Sequence, residues 1–483
     1  MKKSSLVLLL LSLLLNGCQN NKKVFENAIC IQNITTIDAI NGVEEGQTVI
    51  LKNDRIFKIS DTNDLALSED NNIIDGTGKY LIPGLWDTHM HFAYIEELAP
   101  SMLDLFLAYG ITSVRDTGGR IEFVKQWKDK ADADPENSPR VKIAGPLLDG
   151  IPNVYDGGAP NRPELSVGLN SVEAVAKEMH KLDSIGVDLF KAYEMLSPEQ
   201  LVKIVEIANK KGLKVTGHIP LSMDAISASN AGMHSIEHMR NLDVSMAFNW
   251  RELWEQRTKM LAEGAYKQGG DLRSSIHKAQ QEIAINNYDE ERANEVLAVL
   301  KKNDTWQVPT LVLNTLFTGQ YFANEDYQKS YEYLPDSIGA YWQKRSIVLQ
   351  KFPISDFRKK YDDWNLKMVK KIHDTGIPIM AGTDSPIAYL TPGRSLHEEL
   401  AVLVKAGLSP KEALKTATLN PAKYFNLDDE LGLIKENYLA DLLILDANPL
   451  EKIGNTLSIN SVIRNGKIHD RKSLDTILNR LKK

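Results

Sequence analysis

The stretch Pro83–His91, PGLWDTHMH, ends an apolar run with two histidines one residue apart. Side chains alternate along a β-strand, so residues i and i+2 point to the same side. His89 and His91 would therefore project together from one end of one strand. Such a pair is either the start of a metal site or a chance alternation on a solvated strand edge, and nine residues alone do not decide between them.

The composition is that of an ordinary globular protein. The chain has 483 residues, of which 43% are hydrophobic and 25% charged, so it is long enough for a large core. Its net charge is -7, with acidic and basic residues interspersed. Because no Lys/Arg run is present in the sequence, we set nucleic acid aside as a class of partner.

The first residues are typical of an export signal. Two lysines precede an apolar run over residues 6–15 that is too short to span a bilayer comfortably. The following LNGC resembles the lipobox of bacterial lipoproteins. It predicts a signal peptide over residues 1–17, a lipid on Cys18, a tether over residues 18–23, and a protein anchored at the cell envelope and facing the periplasm. A plain secretory signal cut nearby is the alternative.

The two end segments of the chain share one sequence pattern. Residues 24–80 are rich in β signals separated by Asn-Asp and Asp-Gly turns, and a similar pattern returns over residues 428–472. We expect these two segments to form one small β-sandwich, with residues 81–427 bringing them together.

Between these ends, short apolar strands alternate with helical segments, which indicates parallel βαβ units. The eight candidate strands are residues 80–91, 111–116, 140–146, 187–193, 214–220, 234–239, 306–312 and 377–384. Eight such units over residues 81–427 predict an α/β fold of the (β/α)8 TIM-barrel type, with helical insertions after strands six and seven. A doubly wound open sheet is the alternative that periodicity does not exclude.

Ligand-type side chains stand at the ends of the candidate strands, where a barrel gathers its functional groups. They are His89, His91, His218, His238 and Asp384. Neutral imidazoles and carboxylates suit zinc and similar divalent ions. Lys191 also ends a strand, but a free ammonium has no lone pair for a metal. Taken alone, Lys191 favours a buried ion pair.

This set of motifs resembles the amidohydrolase superfamily, in particular its members with two metals bridged by a carboxylated lysine. The resemblance covers nearly all of the chain after the tether. It is carried by the motifs PGLWDTHMH, DLFKAY, GHIP, SIEHM, AGTDSP and LADLLILDANPL. The segment SLHEELAVLVKAGLSPKEALKTATLNPA is similar to the imidazolonepropionase-like or prolidase-like branch.

The resemblance implies two divalent metal ions, with Zn²⁺ as the expected metal. His89, His91 and Asp384 would hold one ion, and His218 and His238 would hold the other. Two adjacent ions lower the pKa of a shared water and polarise a carbonyl group.

Two further roles follow from the resemblance. A CO₂-derived carbamate on Lys191 would bridge the ions together with a hydroxide, which replaces the ion-pair interpretation of this lysine. Asp384 would accept the proton of the attacking water and pass it to the leaving group.

The sequence thus predicts a metal-dependent hydrolase of a C–N amide or peptide bond in a small molecule, acting on dipeptides or N-acyl amino acids. Hydrolysis of a cyclic amide, lactone or ester is an alternative, and a non-catalytic solute-binding envelope lipoprotein is an alternative of another class. A deaminase is disfavoured, since the deaminases that the chain resembles generally use one metal.

Two residues near the ligands are predicted to bind substrate. Tyr193 shares the strand face of Lys191, so its hydroxyl would donate to the substrate carbonyl or to the oxyanion of the tetrahedral intermediate. Arg240 follows His238 by two residues, where it would meet a substrate carboxylate.

The remaining polar residues are predicted to be structural. Asp87 would be a buried hydrogen-bond partner, Arg115 and Asp116 would pair with each other, and Glu237 would face the helices. Packing, helix-end or surface roles are predicted for the other histidines, which are His180, His234, His277, His373, His397 and His469.

Overall fold

A computed structural model describes residues 23–25, 28–68 and 70–482. The predicted signal peptide, the predicted lipidation site Cys18 and residues 18–22 of the predicted tether lie outside the described residues. Within the described ranges, no helix has both the length and the apolar character needed to cross a bilayer.

The strands in these ranges are β1 Lys23–Phe25, β2 Ile29–Asp38, β3 Gly42–Lys52, β4 Arg55–Asp61, β5 Leu65–Leu67, β6 Asn72–Asp75, β7 Tyr80–Pro83, β8 Leu85–Met90, β9 Ile111–Asp116, β10 Arg140–Ile143, β11 Leu147–Asp149, β12 Asp156–Ala159, β13 Arg162–Glu164, β14 Ser166–Gly168, β15 Leu189–Ala192, β16 Lys214–Gly217, β17 Ser235–Glu237, β18 Trp306–Val308, β19 Leu442–Leu445, β20 Ile459–Arg464 and β21 Lys467–Asp470.

The α-helices in the same ranges are α1 Ala99–Ala108, α2 Ile121–Ala133, α3 Val172–Ile185, α4 Pro198–Lys211, α5 Ala225–Asn230, α6 Leu242–Ser245, α7 Trp250–Glu263, α8 Gly269–Asn286, α9 Glu290–Lys302, α10 Leu311–Asn314, α11 Leu316–Gly319, α12 Glu325–Gln328, α13 Asp336–Leu349, α14 Asp356–Thr375, α15 Arg394–Lys405, α16 Pro410–Thr416, α17 Leu419–Tyr424 and α18 Arg471–Leu481.

Strands from both ends of the chain belong to one mixed sheet. Its order is β21-β20-β19-β7-β2-β3-β4, with β6 paired to β2. The junction is β7, which is antiparallel to β19 with Leu81 opposite Ile444, and parallel to β2. Val49, Leu442 and Ile463 pack with these two residues in a buried apolar cluster. Apolar burial between the two ends of the chain therefore stabilises the sheet.

The central strands pair in parallel. β8, β9 and β10 form one run, and β15, β16, β17 and β18 form another. Asp188 N donates to Ile143 O at 2.9 Å and links the two runs. Parallel bridges join residues 379–385 to β18 at Gln307 and to β8 at Met90. We call these seven strands and residues 379–385 the strand circuit, and the carboxyl ends of its strands meet at one edge.

Helix α4 shows how the sequence fixes a loop at this edge. Ser197 caps the helix and forms a capping box with Gln200, and Pro198 occupies the first turn. The helix ends at Gly212, whose φ of +68° suits glycine. The capping box fixes where α4 begins. Residues 193–196 connect the end of β15 to this point, at the carboxyl edge of the strand circuit.

Helix α8 belongs to the long segment between β17 and β18, and it packs tightly on the hairpin β12–β13. A Cβ atom on Gly269 would clash with the Pro152 carbonyl oxygen, and one on Gly270 would clash with the Arg162 side chain. Arg162 also forms an ion pair with Asp271 at 2.7 Å. Glycine at both positions therefore lets the start of α8 meet the hairpin.

The histidines outside the predicted ligand set mostly follow expectation. His180 is exposed, and His397 hydrogen bonds to Thr456 Oγ1 and Tyr109 O at 2.8 and 2.9 Å, which is a structural role. The prediction that His469 is a surface residue is wrong. It is buried, and its Nε2 donates to Glu136 O at 2.7 Å because β21 packs against that loop.

Candidate metal centre

Six predicted metal ligands meet at the carboxyl edge of the strand circuit. All six are buried, and they are His89, His91, Lys191, His218, His238 and Asp384. Parallel strands bring them together, because residues at the ends of neighbouring strands meet at the same edge.

Asp384 lies at the middle of this group. Its Oδ1 is 3.1 Å from His91 Nε2 and 3.3 Å from His89 Nε2, and its Oδ2 is 3.7 Å from His238 Nε2. The backbone of Asp384 has a φ of +66° and donates its N–H to His89 O at 2.7 Å. This turn directs the carboxylate toward the ends of two strands, β8 and β17.

Each of the four histidines has its Nδ1 atom held by a neighbour on the far side of the ring. The pairs are His89 with Glu237 Oε2 at 2.5 Å, His91 with Gly118 O at 3.0 Å, His218 with Glu194 Oε1 at 2.7 Å, and His238 with Thr310 Oγ1 at 2.6 Å. A carbonyl or an ionised carboxylate only accepts, so Nδ1 donates in the first three pairs. The Nε2 lone pairs then face the centre, as in metal-binding histidines.

This arrangement fits a divalent cation. His89 Nε2, His91 Nε2 and Asp384 Oδ1 are three acceptors facing one another within metal-ligand reach. Asp384 Oδ1 is buried and has no hydrogen-bond donor among the described residues. A buried carboxylate oxygen that faces two imidazole nitrogens and has no donor of its own is unfavourable unless a cation lies beside it.

The protonation states agree with this interpretation. Burial lowers the pKa of His218 to about 3 and holds the pKa values of His89 and His238 below the usual range of histidine. These three imidazoles are therefore neutral at neutral pH, which is the form that ligates metals.

Lys191 is buried at this centre without a carboxylate partner. Its Nζ lies 3.3 Å from His89 Nε2, and within residues 28–68 and 70–482 it forms no ion pair. The described residues therefore offer no carboxylate for the ion pair that Lys191 alone would suggest. Burial lowers the pKa of Lys191 to about 8, so part of the amine is neutral near pH 8.

The prediction that Glu237 faces the helices is wrong. Its carboxylate is fully buried, and Arg115 Nη2 donates to both of its oxygens at 2.9 and 3.0 Å. His238 and Met239 have φ angles of +59° and +51°, which break the strand alternation, so Glu237 and His238 both face inward. Burial alone would raise the pKa of Glu237, but the charge of Arg115 keeps it well below its usual range.

The predicted ion pair between Arg115 and Asp116 is also wrong. Consecutive strand residues point to opposite sides, so Arg115 turns to Glu237 while Asp116 accepts from the backbone N–H groups of Phe92 and Gly118 at 2.8 and 3.0 Å. Gly118 is the residue whose carbonyl holds His91, so Asp116 supports that ligand through the loop.

The predictions for Asp87 and His234 are confirmed. Asp87 is buried and accepts from the N–H and Oγ1 of Thr383 at 3.0 and 2.7 Å. Nδ1 of His234 accepts from Val215 N at 3.0 Å, away from the centre.

The centre opens into a narrow pocket. The two predicted substrate-binding residues both line it. Tyr193 is 3% exposed, and its ring centroid is 4.4 Å from that of His218. Arg240 is partly buried, and among the described residues its guanidinium forms no hydrogen bond or ion pair. Tyr155 and Leu165, from the segment containing β12 and β13, also line the pocket.

Sequence reasoning missed three residues at this site. His277 was predicted at the surface, but its Nε2 lies 2.6 Å from Glu194 Oε2, and Glu194 holds His218. Arg273 lines the same pocket. His277 and Arg273 lie four residues apart on α8, and this spacing on one helix face was the signal available.

Comparisons with known proteins agree with this geometry. The model of the amidohydrolase family matches residues 80–469. Ochratoxinase of Aspergillus niger is 25% identical over 430 residues, which are 77% of this chain and 71% of that protein. The 5'-deoxyadenosine deaminase of Methanococcus maripaludis is 24% identical over 452 residues, or 89% and 92% of the two chains.

A solved structure shows the same fold. A Xaa-Pro dipeptidase with methionine bound in its active site superposes with a TM-score of 0.65 and 19% identity, over 92% of this chain and 100% of that one.

Proposed function

The chain belongs to the amidohydrolase family and is a hydrolase acting on carbon–nitrogen bonds, and we propose that it cleaves an amide or peptide bond in a small substrate. This substrate would carry a free carboxylate, as a dipeptide or an N-acyl amino acid does. One observation carries this proposal. Four oriented histidines, one carboxylate and one buried lysine open into a pocket lined by Arg240, and in the described part of the chain neither the lysine nor this arginine has an ion-pair partner.

The ligand set suits two divalent ions, with Zn²⁺ as the expected metal. Their holders would be His89, His91, His218, His238, Asp384 and Lys191 as its CO₂-derived carbamate. When bound, such ions lower the pKa of a shared water and polarise a carbonyl. The buried Lys191 has no carboxylate partner among the described residues, and its lowered pKa supplies neutral amine for reaction with CO₂.

Asp384 is the proposed proton carrier. Its buried carboxylate lies among the Nε2 atoms of three histidines, and in His89 and His91 the proton is on Nδ1. It would accept the proton of the attacking water and return it to the amide nitrogen as the C–N bond breaks. That step matters for amides because an amine leaves poorly unless it is protonated.

Two residues would bind the substrate. The guanidinium of Arg240 would pair with the substrate carboxylate, since it lines the pocket without a counter-ion in the described part of the chain. The hydroxyl of Tyr193 would donate to the carbonyl oxygen and to the oxyanion that develops from it.

The proposal has architectural and cellular parts as well. The strand circuit supports a (β/α)8 barrel over residues 81–427. The mixed sheet that contains strands from both ends of the chain supports a β-sandwich of residues 24–80 and 428–472. The pattern of the first 18 residues supports a lipid anchor on Cys18 at the periplasmic side of the envelope. Fatty-acid labelling that survives Cys18→Ala would contradict the anchor.

The test of the proposed activity is a library of dipeptides and N-acyl amino acids assayed with the zinc-loaded protein. Each substrate is paired with its C-terminal carboxamide. We expect turnover of the free acids, with kcat/KM about 10- to 100-fold above that of the carboxamides. Arg240→Gln should erase this preference, whereas Arg251→Gln, which changes an exposed arginine outside the pocket, should keep it. Absence of amide hydrolysis throughout the library would refute the proposal.

A further inference from the structure

We propose that Arg273, on helix α8, positions Tyr193 by holding its hydroxyl oxygen so that the hydroxyl proton points into the pocket. This inference rests on the proposed amide hydrolysis and adds a residue to it. Nη1 of Arg273 lies 3.0 Å from the hydroxyl oxygen of Tyr193.

The direction of this hydrogen bond follows from the chemistry of its partners. A guanidinium has donors and no acceptor, so the phenol oxygen must accept. The hydroxyl proton of Tyr193 must then point away from Arg273. In residues 28–68 and 70–482, no acceptor lies within hydrogen-bond distance of that hydroxyl. The remaining direction is the pocket that Tyr193 lines.

A tyrosine phenol has an ordinary pKa of about 10 and therefore keeps its proton at neutral pH. A neutral phenol whose oxygen is bound to a cation has a more polarised O–H bond, which strengthens it as a donor. Such a donor is suited to an oxygen that gains negative charge during the reaction.

Arg273 is held firmly enough to act in this way. Its side chain is 19% exposed, its Cζ lies 5.9 Å from the ring centroid of Tyr155, and its Nε lies 3.8 Å from Glu194 Oε1. The two glycines at the start of α8 and the ion pair between Arg162 and Asp271 anchor the helix against the hairpin.

The two arginines of the pocket therefore differ in role. Arg273 lies close to Glu194 and donates to Tyr193, while Arg240 has no such partner in the described residues. Loss of Arg273 should slow the chemical step, and loss of Arg240 should weaken binding of the carboxylate.

The test is a double-mutant cycle with Arg273→Met and Tyr193→Phe, measured on an N-acyl amino acid that the wild type hydrolyses. Each single variant should lower kcat about 10- to 100-fold with KM within about two-fold, because a transition-state donor is lost or misdirected. The double variant should be no slower than Tyr193→Phe alone. Arg273→Lys, which keeps a donor at this position, should recover part of kcat.

Binding supplies a second readout that does not depend on turnover. The affinity for a phosphonate analogue of the tetrahedral intermediate should fall with kcat in Arg273→Met, whereas the affinity for the product carboxylate should stay within about two-fold. Zinc content should equal that of the wild type.

Three results would overturn the inference. They are an Arg273→Met effect that persists undiminished in the Tyr193→Phe background, an effect confined to KM, and a loss of zinc that accounts for the lost activity. A wild-type protein that hydrolyses no amide would refute the proposed function instead, and phosphonate affinities would still test the link between Arg273 and Tyr193.

Discussion

Glu237 accepts a hydrogen bond from Nδ1 of His89 at 2.5 Å while Arg115 donates to both of its carboxylate oxygens. All three side chains are fully buried. Glu237 thereby fixes the tautomer of His89 and compensates the charge of Arg115. One buried carboxylate links the stability of the fold to the orientation of a predicted metal ligand.

Glu237→Gln should therefore weaken metal binding. An amide is uncharged and has one accepting oxygen instead of two, so it cannot reproduce the three hydrogen bonds that His89 and Arg115 donate to the carboxylate. We expect an affinity for zinc about 10- to 100-fold lower, measured by competition with a chromophoric chelator. The variant should also be destabilised by roughly 3–5 kcal/mol, since a buried guanidinium loses its counter-ion. Glu255→Gln, at an exposed helical position, is the control, and equal zinc affinity in the two variants would contradict the role given to Glu237.

Lys191→Ala should lose metal and activity together. Removal of the side chain removes the proposed carbamate and leaves the cations without an anion between them. We expect less than two zinc ions per chain by atomic emission. Acetate or propionate at millimolar concentration should restore part of the activity by supplying a carboxylate in the space left by the lysine. Full zinc content with full amide hydrolysis in this variant would rule out the dinuclear mechanism.

Asp384→Asn should separate metal binding from turnover. The amide oxygen still ligates weakly, but an amide cannot accept the proton of the attacking water. We expect kcat to fall by about 10²–10⁴-fold, with a smaller loss in zinc content. Retention of more than a tenth of wild-type kcat would show that another residue carries the proton.

The stability of the metal-free protein should depend on pH through Glu399. This buried carboxyl accepts from the N–H groups of Leu311 and Val312 at 3.0 and 2.6 Å, and burial raises its pKa to about 8. The native state then binds one more proton than the unfolded state between about pH 4.5 and 8, so this contribution to stability is present below pH 4.5 and is lost as the pH rises.

We expect the free energy of unfolding of Glu399→Gln to fall less steeply over this interval, by up to about 1.4 kcal/mol per pH unit. Urea titrations at pH 5, 6, 7 and 8 in the presence of EDTA measure the slope and exclude effects of zinc release. Parallel curves for the wild type and the variant would contradict the assignment of the pKa to Glu399.

The convergence of the six predicted ligands follows from local rules. Alternation along β8 places His89 and His91 on one side, and parallel pairing gathers the strand ends of Lys191 and His218 at the same edge. These rules need only the sequence pattern and the fold class.

The predictions from sequence are wrong where an unusual backbone conformation, or a segment distant in the sequence, determines the position of a side chain. The positive φ of His238, a non-glycine residue, reverses the orientation expected for Glu237, and nothing in SIEHM signals this turn. Arg273 reaches the pocket, and His277 reaches Glu194, because α8 docks on the hairpin at Gly269 and Gly270. Docking of an inserted helix is a long-range event, which hydrophobic periodicity does not encode.

Strand β7 has a consequence for the order of events during synthesis. It pairs with β19, whose residues lie near the far end of the chain, and Gly84 alone separates it from β8, which carries His89. The ribosome has made every predicted metal ligand before it reaches Leu442, yet the sheet that borders the first ligand strand is still incomplete. The native sheet can close only once the chain has emerged through β19, and such long-range pairing is slow. Stable zinc uptake should therefore follow the synthesis of β19.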